Sequence, residues 1–238
     1  MSQADIQTKN VAASSSPIEV ESKRDAIYER ALLDIICGEL RAGEWVDEVT
    51  LAGRYGVGRA GVRDALFRLA LEGLVERRPR LGSVVTSPNI IELQQVFQLR
   101  VQLEGQCARL AATNATRDER HAVSIAFNEA GTAIARADWR ALVSLDRDFH
   151  RAVAIGAHNS WLEHVLATLH NSALRFWHYA LPRRPIDALT QEIAYHRDVA
   201  AAIEARDPAA AEAAMRAVLD EFPATVQGVF TDAGGDHR

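Results

Sequence analysis

Asp146 and His150 are four residues apart in a helical pattern, and both fall on the apolar face of that pattern. The apolar face is defined by Trp139, Leu142, Phe149 and Val153. A carboxylate on a buried face is costly unless it is paired or binds a cation, and side chains at i and i+4 can reach one point. His196 occupies an inward position of a second helical pattern. One carboxylate and two imidazoles therefore predict a site for a divalent metal, with zinc or nickel expected.

The same spacing has a simpler interpretation. An inward histidine is more often a hydrogen-bonded core residue, and an Asp–His pair at i,i+4 can satisfy its own hydrogen bonds. If a metal does bind, the alternative function is a metal-dependent hydrolase in which Asp146, His150 and His196 surround an activated water. The residues alone leave both interpretations open.

Arg100 borders an apolar helical row and has Glu104 one turn further on. It forms either a surface ion pair that contributes little to stability or a clamp for the carboxylate of a small organic acid. Asn171 and Arg175 lie four residues apart on a polar stripe of a later helix, which either faces solvent or lines a pocket. Arg100, Asn171 and Arg175 are the effector-binding residues that we predict.

A cluster of arginines suggests a second kind of chemistry. Between Leu51 and Arg80 there are seven arginines and three acidic residues, in a chain whose net charge is −5. Arg59 and Arg63 lie one turn apart on one face of a predicted helix, where arginine could bind guanine or phosphate in the major groove of DNA. Gly82 beside Arg80 would let the backbone approach DNA closely. The alternative is a small module that contacts protein.

The elements that must position these arginines are three helices and a β-hairpin. Helical periodicity starts at Arg24, a short helix follows near 48–55, and a third helix runs over about 59–72 after a glycine turn. Residues 74–86 have the pattern of a β-hairpin. This order is that of a winged helix-turn-helix, in which the third helix enters the major groove.

The rest of the sequence is predicted to be helical, so the fold class is mainly α, with a winged helix-turn-helix followed by an all-α bundle. One helix is expected to run from the capping box at Thr116 to Ile134, and another near 191–205. We predict a disordered arm over 1–22, a DNA-binding domain over 23–87, an effector-binding and dimerisation domain over 88–230, and a flexible tail over 231–238.

The composition narrows the class of protein. The chain has 48% hydrophobic and 25% charged residues, and no apolar run reaches the length of a membrane span. Cys37 and Cys107 sit in apolar helical patterns and are interpreted as reduced core residues. No phosphate-binding loop, nucleophile elbow or CxxC pair occurs. We expect a cytoplasmic protein that is not an enzyme.

Several motifs, in this order and spacing, resemble the GntR superfamily of transcriptional regulators, FadR-like branch. The N-terminal motifs are G-x-L-x-x-G (38–43), E-x-x-LA (48–52), GV-x-R-x-x-VR-x-AL (56–66) and RL-x-x-EGLV (68–75). The C-terminal motifs resemble the FCD effector domain: LR-x-x-LE (99–104), LAA-x-x-AT (110–116), D-x-x-FH (146–150), H-x-x-x-x-x-AI (196–203) and D-x-x-AA-x-x-AM (207–215). The resemblance implies a homodimer that binds near-palindromic operator DNA, with affinity changed by a small carboxylate. We expect a repressor; a ligand-free dimerisation module is the alternative.

The resemblance also implies residue roles. Arg59, Arg63, Arg80 and Gly82 match positions that contact DNA, and Arg100 matches a pocket arginine. Gly58 and Ala60–Gly61 replace the family's Ser/Thr and Thr-Pro, so two hydroxyl contacts to phosphate are missing. Many FCD domains bind metal through one aspartate and three histidines. Asp146, His150 and His196 match three of these ligands, but the fourth position is Val218, so the site either binds metal with three ligands or has lost it.

Overall fold

The computed structural model of the chain describes residues 17–79 and 82–220, with side chains from residue 23 onward. In the N-terminal part the elements are α1 (Pro17–Ile36), β1 (Trp45–Val46), α2 (Glu48–Tyr55), α3 (Arg59–Leu71), β2 (Val75–Arg78) and β3 (Gly82–Val85). The C-terminal helices are α4 (Ile90–Asn114), α5 (Arg117–Ile125), α6 (Ala130–Ala135), α7 (Trp139–Gly156), α8 (Ser160–Ala180), α9 (Ile186–Glu204) and α10 (Pro208–Asp220). A short 3-10 helix (Leu181–Arg183) follows α8. The predicted fold class is confirmed.

The helix-turn-helix is fixed by local capping. The side chain of Asp47 accepts a hydrogen bond from the Thr50 amide at 2.8 Å and so caps the start of α2. Gly56 ends α2 with a left-handed φ of 67°, which glycine adopts without steric cost. This turn directs the chain into α3, whose inward residues Val62, Leu66 and Leu69 are fully buried against α1. Each such leucine contributes about 1.5–3 kcal/mol through burial.

The wing is a three-stranded antiparallel sheet rather than a hairpin alone. β3 lies between β1 and β2, and Val84 is the partner of both Trp45 and Glu76. β1 has only two residues, too few for an alternating pattern to be recognised in the sequence. Its pairing attaches the wing to the segment that leads into α2.

The C-terminal bundle is built around α4, which packs against α7, α8, α9 and α10. The capping box predicted at Thr116 is present, with Glu119 as its partner. Asp138 and Asn159 cap α7 and α8 in the same way, by accepting hydrogen bonds from backbone amides. These caps fix where the helices that carry the polar residues begin.

Three helix boundaries differ from those expected. α1 begins at Pro17, so residues 17–22 of the predicted arm are helical; a proline suits the first turn of a helix. The single helix expected over 116–134 is divided into α5 and α6, because the intervening amides bond to carbonyls three residues back and tighten the chain. α9 begins at Ile186, directly after Pro185. Residues 1–16 and the predicted tail lie outside the described residues.

Within residues 17–79 and 82–220, no helix combines the length and the apolar character that a membrane crossing requires.

Candidate DNA-binding surface and buried polar cluster

Arg59 and Arg63 occupy the first two turns of α3, and both side chains are exposed. Arg63 Nη2 lies 3.0 Å from Glu48 Oε2 of α2. Exposed ion pairs of this kind contribute little to stability, so a phosphate or a base can displace the glutamate at small cost. The side chain of Arg63 is therefore available to an anionic partner.

A groove of about 550 Å³ separates the start of α3 from the wing. Arg59, Arg77, Arg78 and Gly82 are among the residues that line it. Gly82 has a φ of 105°, a conformation that side-chain-bearing residues rarely adopt. Arg80, which was predicted at the wing tip, lies outside the described residues.

Arg77 and Arg78 were not singled out from the sequence as contact residues, although they belong to the arginine cluster. All residues of β2 after Val75 are exposed, so both arginines remain at the surface. The guanidinium of Arg78 lies 5.6 Å from the ring centroid of Trp45. We call Arg59, Arg63, Arg77 and Arg78 the arginine surface; it joins the predicted recognition helix to the wing.

In the bundle, six polar side chains from α4, α7, α8 and α9 are buried together. They form the buried cluster, which consists of Arg100, Glu104, Asp146, His150, His170 and His196. Asp146 Oδ1 lies 3.9 Å from His150 Nε2 and 3.5 Å from His196 Nε2, and the two Nε2 atoms are 3.4 Å apart. The structure thus brings the three predicted metal ligands to one point.

The contacts of His196 and His150 show that the Nδ1 atom of each ring carries a hydrogen. His196 Nδ1 lies 2.7 Å from the carbonyl oxygen of Glu192, which can only accept, so Nδ1 carries the hydrogen. His150 Nδ1 lies 2.6 Å from Glu104 Oε2, which places a hydrogen on that nitrogen as well. When both rings are neutral, as metal ligands must be, their Nε2 atoms direct lone pairs towards each other and towards Asp146.

Burial lowers the pKa of His196 to about 4, so the His196 imidazole carries no positive charge at neutral pH. Two neutral imidazoles and a carboxylate oxygen within 3.9 Å of one another would repel, and a cation between them would remove this repulsion. This donor set, two nitrogens and one oxygen, is one that zinc and nickel accept. The residues present fit a divalent metal.

His170 belongs to the cluster and was missed in the sequence. Its Nδ1 accepts a hydrogen bond from Arg100 Nη2 at 2.8 Å, so its Nε2 carries the hydrogen and lies 3.0 Å from Asp146 Oδ2. His170 thus connects Arg100 to the carboxylate of the candidate metal site. Its position midway between Leu166 and Leu174, four residues from each, is the periodic signal that would have found it.

The ion pair of Arg100 does not lie at the surface, because Arg100 is only 4% exposed. Its Nε donates to Glu104 Oε1 at 2.5 Å. Burial alone would raise the pKa of Glu104, but Arg100 and His150 outweigh burial and hold that pKa well below its usual range. The carboxylate of Glu104 is therefore charged, and it is held by a cation on one side and an imidazole on the other.

The three predicted effector residues do not share a cavity. The cavity beside Arg100 has about 20 Å³ and is also lined by Val218. Asn171 faces the DNA-binding domain, where its Nδ2 donates to Glu72 Oε2 at 3.0 Å. Arg175 donates to the side chain and the carbonyl of Thr86 in the interdomain linker. The stripe of Asn171 and Arg175 thus faces the domain interface, whereas His170 faces the cluster.

Models of two known protein families match the two parts of the chain that carry these regions. The model of "Bacterial regulatory proteins, gntR family" matches residues 23–85, and that of the "FCD domain" matches residues 95–221. The chain belongs to the GntR family. It carries an FCD domain, and its arginine surface lies inside the gntR match, whereas the buried cluster lies inside the FCD match.

Relatives of this GntR regulator have similar lengths. The "Probable D-xylose utilization operon transcriptional repressor" of Paenarthrobacter nicotinovorans is 30% identical over 197 residues, which are 82% of this chain and 84% of the relative. The "HTH-type transcriptional repressor RspR" of Escherichia coli is 27% identical over 207 residues, 85% of this chain and 88% of the relative. Among solved structures, "E. coli McbR/YncC" superposes with a TM-score of 0.76 at 18% identity, covering 87% of this chain and 98% of that one.

These findings decide between the classes considered for the sequence. The family and the named relatives are transcription regulators, so this GntR protein is a regulator and not a metal-dependent hydrolase. The likeness to the solved structure supports the fold. The roles of the individual residues are predictions that follow from the geometry.

Proposed function

We propose that the chain is a homodimeric repressor that binds a near-palindromic operator, with its DNA affinity changed by a small organic acid. Residues 23–87 would bind DNA, and residues 88–230 would bind the effector and dimerise. The exposed pair Arg59 and Arg63 at the start of α3, beside the groove to the wing, carries this proposal. The two relatives named as repressors support the sign of regulation.

A helix that presents arginines from its first turns suits the major groove, where arginine binds guanine or phosphate. Arg77, Arg78 and Gly82 across the groove would meet the adjacent backbone. Arg80 is proposed to contact DNA from the wing tip. Because Gly58 offers no side-chain hydroxyl at the N-cap of α3, this protein depends more on its arginines than relatives with Ser or Thr there.

The experiment is fluorescence anisotropy with a duplex that the protein itself selects from random sequence. We expect Arg63→Ala to weaken binding roughly 5- to 150-fold, since a good arginine–base contact contributes about 1–3 kcal/mol to binding. Arg136→Ala removes an exposed arginine from the end of α6 and is the matched control, expected to bind like the wild type. Binding by Arg63→Ala within twofold of wild type would show that α3 is not the recognition helix.

We also propose that Asp146, His150 and His196 hold a divalent metal, with zinc or nickel preferred. The convergence of two lone pairs and a carboxylate, described above, supports this proposal. A bound metal would supply a Lewis-acidic centre whose remaining positions can bind a carboxylate. His170 and Glu104 would orient the ligands, because each touches one of them.

Elemental mass spectrometry of protein purified without a tag or chelator tests the metal. We expect about one metal per chain in the wild type and none in His150→Ala. His121→Ala removes an exposed histidine of α5 and should retain the metal. No metal in any of the three proteins after soaking with zinc, nickel and manganese would mean that Val218 has abolished the site.

Arg100 stays our prediction for a carboxylate contact in the FCD domain. Its guanidinium already donates to Glu104 and His170, and the cavity of about 20 Å³ beside it has the size of one water molecule. An acid that reached Arg100 would have to displace these partners.

A further inference from the structure

A second, larger cavity lies between the two domains. This interdomain cavity has about 400 Å³. Tyr28 of α1 and Glu72 at the end of α3 line it on one side, and α4, α7 and α8 line it on the other. Its volume falls within the range of small-molecule sites, which also occur preferentially between domains. It is large enough for an organic acid, unlike the cavity beside Arg100.

The inner end of the interdomain cavity is polar and buried. Glu104, His150 and His170 line it there, so these residues separate it from the candidate metal site. Glu104 Oε2 lies 2.6 Å from His150 Nδ1, and His170 Nε2 lies 3.0 Å from Asp146 Oδ2, but neither contact has the alignment of a good hydrogen bond, so both buried atoms are incompletely satisfied. A carboxylate oxygen can accept two hydrogen bonds, so Glu104 Oε2 can accept a second one. The hydroxyl or ammonium group of a ligand would supply that donor.

The outer end and the walls have different chemistry. Arg151 and His164 line the exposed rim of the cavity beside Glu163, and the guanidinium of Arg151 is the group there that can bind a carboxylate. Among the other lining residues are six apolar ones: Leu71, Cys107, Val153, Ala154, Leu166 and Met215. An exposed guanidinium, apolar side chains that can pack on a short carbon chain and a buried carboxylate that can accept a further hydrogen bond together define a ligand class.

We propose that the interdomain cavity binds a small organic acid that also carries a hydroxyl or ammonium group. The carboxylate lies at Arg151, and the donor group bonds to Glu104. This inference rests on the proposed function, because it identifies this ligand with the effector of a DNA-binding regulator.

The position of the cavity explains how its ligand would act on DNA binding. Glu72 caps the C-terminal end of α3 and accepts hydrogen bonds from Tyr28 at 2.5 Å and from Asn171 at 3.0 Å. Arg147, adjacent in sequence to Asp146, pairs with Glu29 of α1 and donates to Asn171. A ligand in the cavity touches these same residues, so its binding favours one orientation of the recognition helix relative to the bundle.

Isothermal titration calorimetry tests binding with defined probes. These are 4-hydroxybutyrate, 6-hydroxyhexanoate, their amino counterparts, and butyrate and hexanoate as acids without a donor. We expect saturable binding of at least one hydroxy or amino acid, at least roughly tenfold tighter than the unsubstituted acid of equal length, because the bond to Glu104 is missing from the latter. No saturable binding by any of the four substituted acids would overturn the proposal.

Two variants locate the binding site. Ala167→Trp places a large side chain in the cavity wall, and Ala201→Trp places the same side chain on the exposed face of α9 as the control. Arg151→Gln removes the rim charge without altering the buried cluster. We expect Ala167→Trp and Arg151→Gln to weaken acid binding at least roughly tenfold, and Ala201→Trp to leave it unchanged. Undiminished binding by Ala167→Trp and Arg151→Gln would overturn the proposal.

The same proteins separate this inference from the proposed function. Operator affinity and metal content are measured for the wild type and Ala167→Trp without any acid. If both proteins bind operator and metal but no acid binds in the cavity, only the cavity proposal fails. If acids bind in the cavity while the wild type selects no DNA, the proposed function fails and the cavity remains a ligand site.

Discussion

The arginine surface and the buried cluster are both polar, but their side chains are held in opposite ways. On the arginine surface the partners reach solvent, as with the exposed Arg63 and the half-buried Glu48, and water can replace either of them. In the buried cluster the six residues are only 2–8% exposed, so each group depends mainly on its neighbours for hydrogen bonds. An exposed charge therefore indicates a binding partner only when several charges form a pattern, whereas a buried charge indicates a partner when its neighbours leave a hydrogen bond or a counter-charge unsupplied.

The two regions also differ in how the chain assembles them. The arginine surface is made within residues 59–78, so short-range spacing is enough to define it. The buried cluster takes residues from four helices between Arg100 and His196, so its geometry depends on packing. Single substitutions in each region can test this difference between an exposed, locally encoded surface and a buried, packing-dependent cluster.

The largest effect is expected for Val218→His in the buried cluster. Val218 lines the same small cavity as Asp146, His150 and His196, so an imidazole there supplies the missing fourth ligand. Metal affinity should rise by more than the roughly 10- to 100-fold that an outer-shell partner contributes. Competition with a fluorescent zinc chelator measures the change, and Val218→Leu is the control of similar volume. Equal affinity in all three proteins would show that the donors at this point do not bind metal.

The same contrast explains what could be predicted from the sequence. The helix-turn-helix was predicted because Gly56, the apolar row of α3 and the arginine pair are all local signals. The strand β1 was not, because two residues carry no periodicity and its partner is distant in sequence. The wing was therefore predicted as a hairpin.

For the buried cluster, periodicity placed Asp146, His150 and His196 on inward faces correctly. It did not predict that Glu104 meets His150, or that His170 joins Arg100 to Asp146, since these contacts depend on how α4, α7 and α8 pack. Asn171 and Arg175 are a different case. Asn171 lines the interdomain cavity and also bonds to Glu72 of the DNA-binding domain, whereas Arg175 does not line that cavity and bonds to the linker.

An intermediate effect is expected in the pH dependence of stability, measured with the metal removed by chelator. The folded-state pKa of His196 is lowered to about 4 by burial, so between about pH 4 and 6.5 only the unfolded state binds this proton, and stability rises with pH. Burial raises the pKa of Glu192 from 4.5 to about 7, so between these values only the folded state binds this proton, and stability falls with pH. The two residues therefore oppose each other.

Glu192→Gln removes one of these opposing contributions. Between pH 5 and 6 the free energy of unfolding of the variant should rise with pH more steeply than that of the wild type, by about 1.4 kcal/mol per pH unit. Urea unfolding at several pH values measures both slopes, and Glu129→Gln, an exposed change, should follow the wild type. Parallel slopes would mean that Glu192 is ionised in the folded protein throughout this range.

The smallest effect on stability is expected on the arginine surface, for Glu48→Gln. This variant removes the partner of Arg63 and one negative charge beside the proposed DNA contact. The urea midpoint should change little, because water solvates both side chains once the ion pair at the surface is removed. Operator affinity should rise, and Glu129→Gln in the other domain should change neither quantity. A clear loss of stability together with weaker DNA binding would mean that Glu48 holds Arg63 in its binding conformation. The arginine surface would then resemble the buried cluster more closely than its exposure suggests.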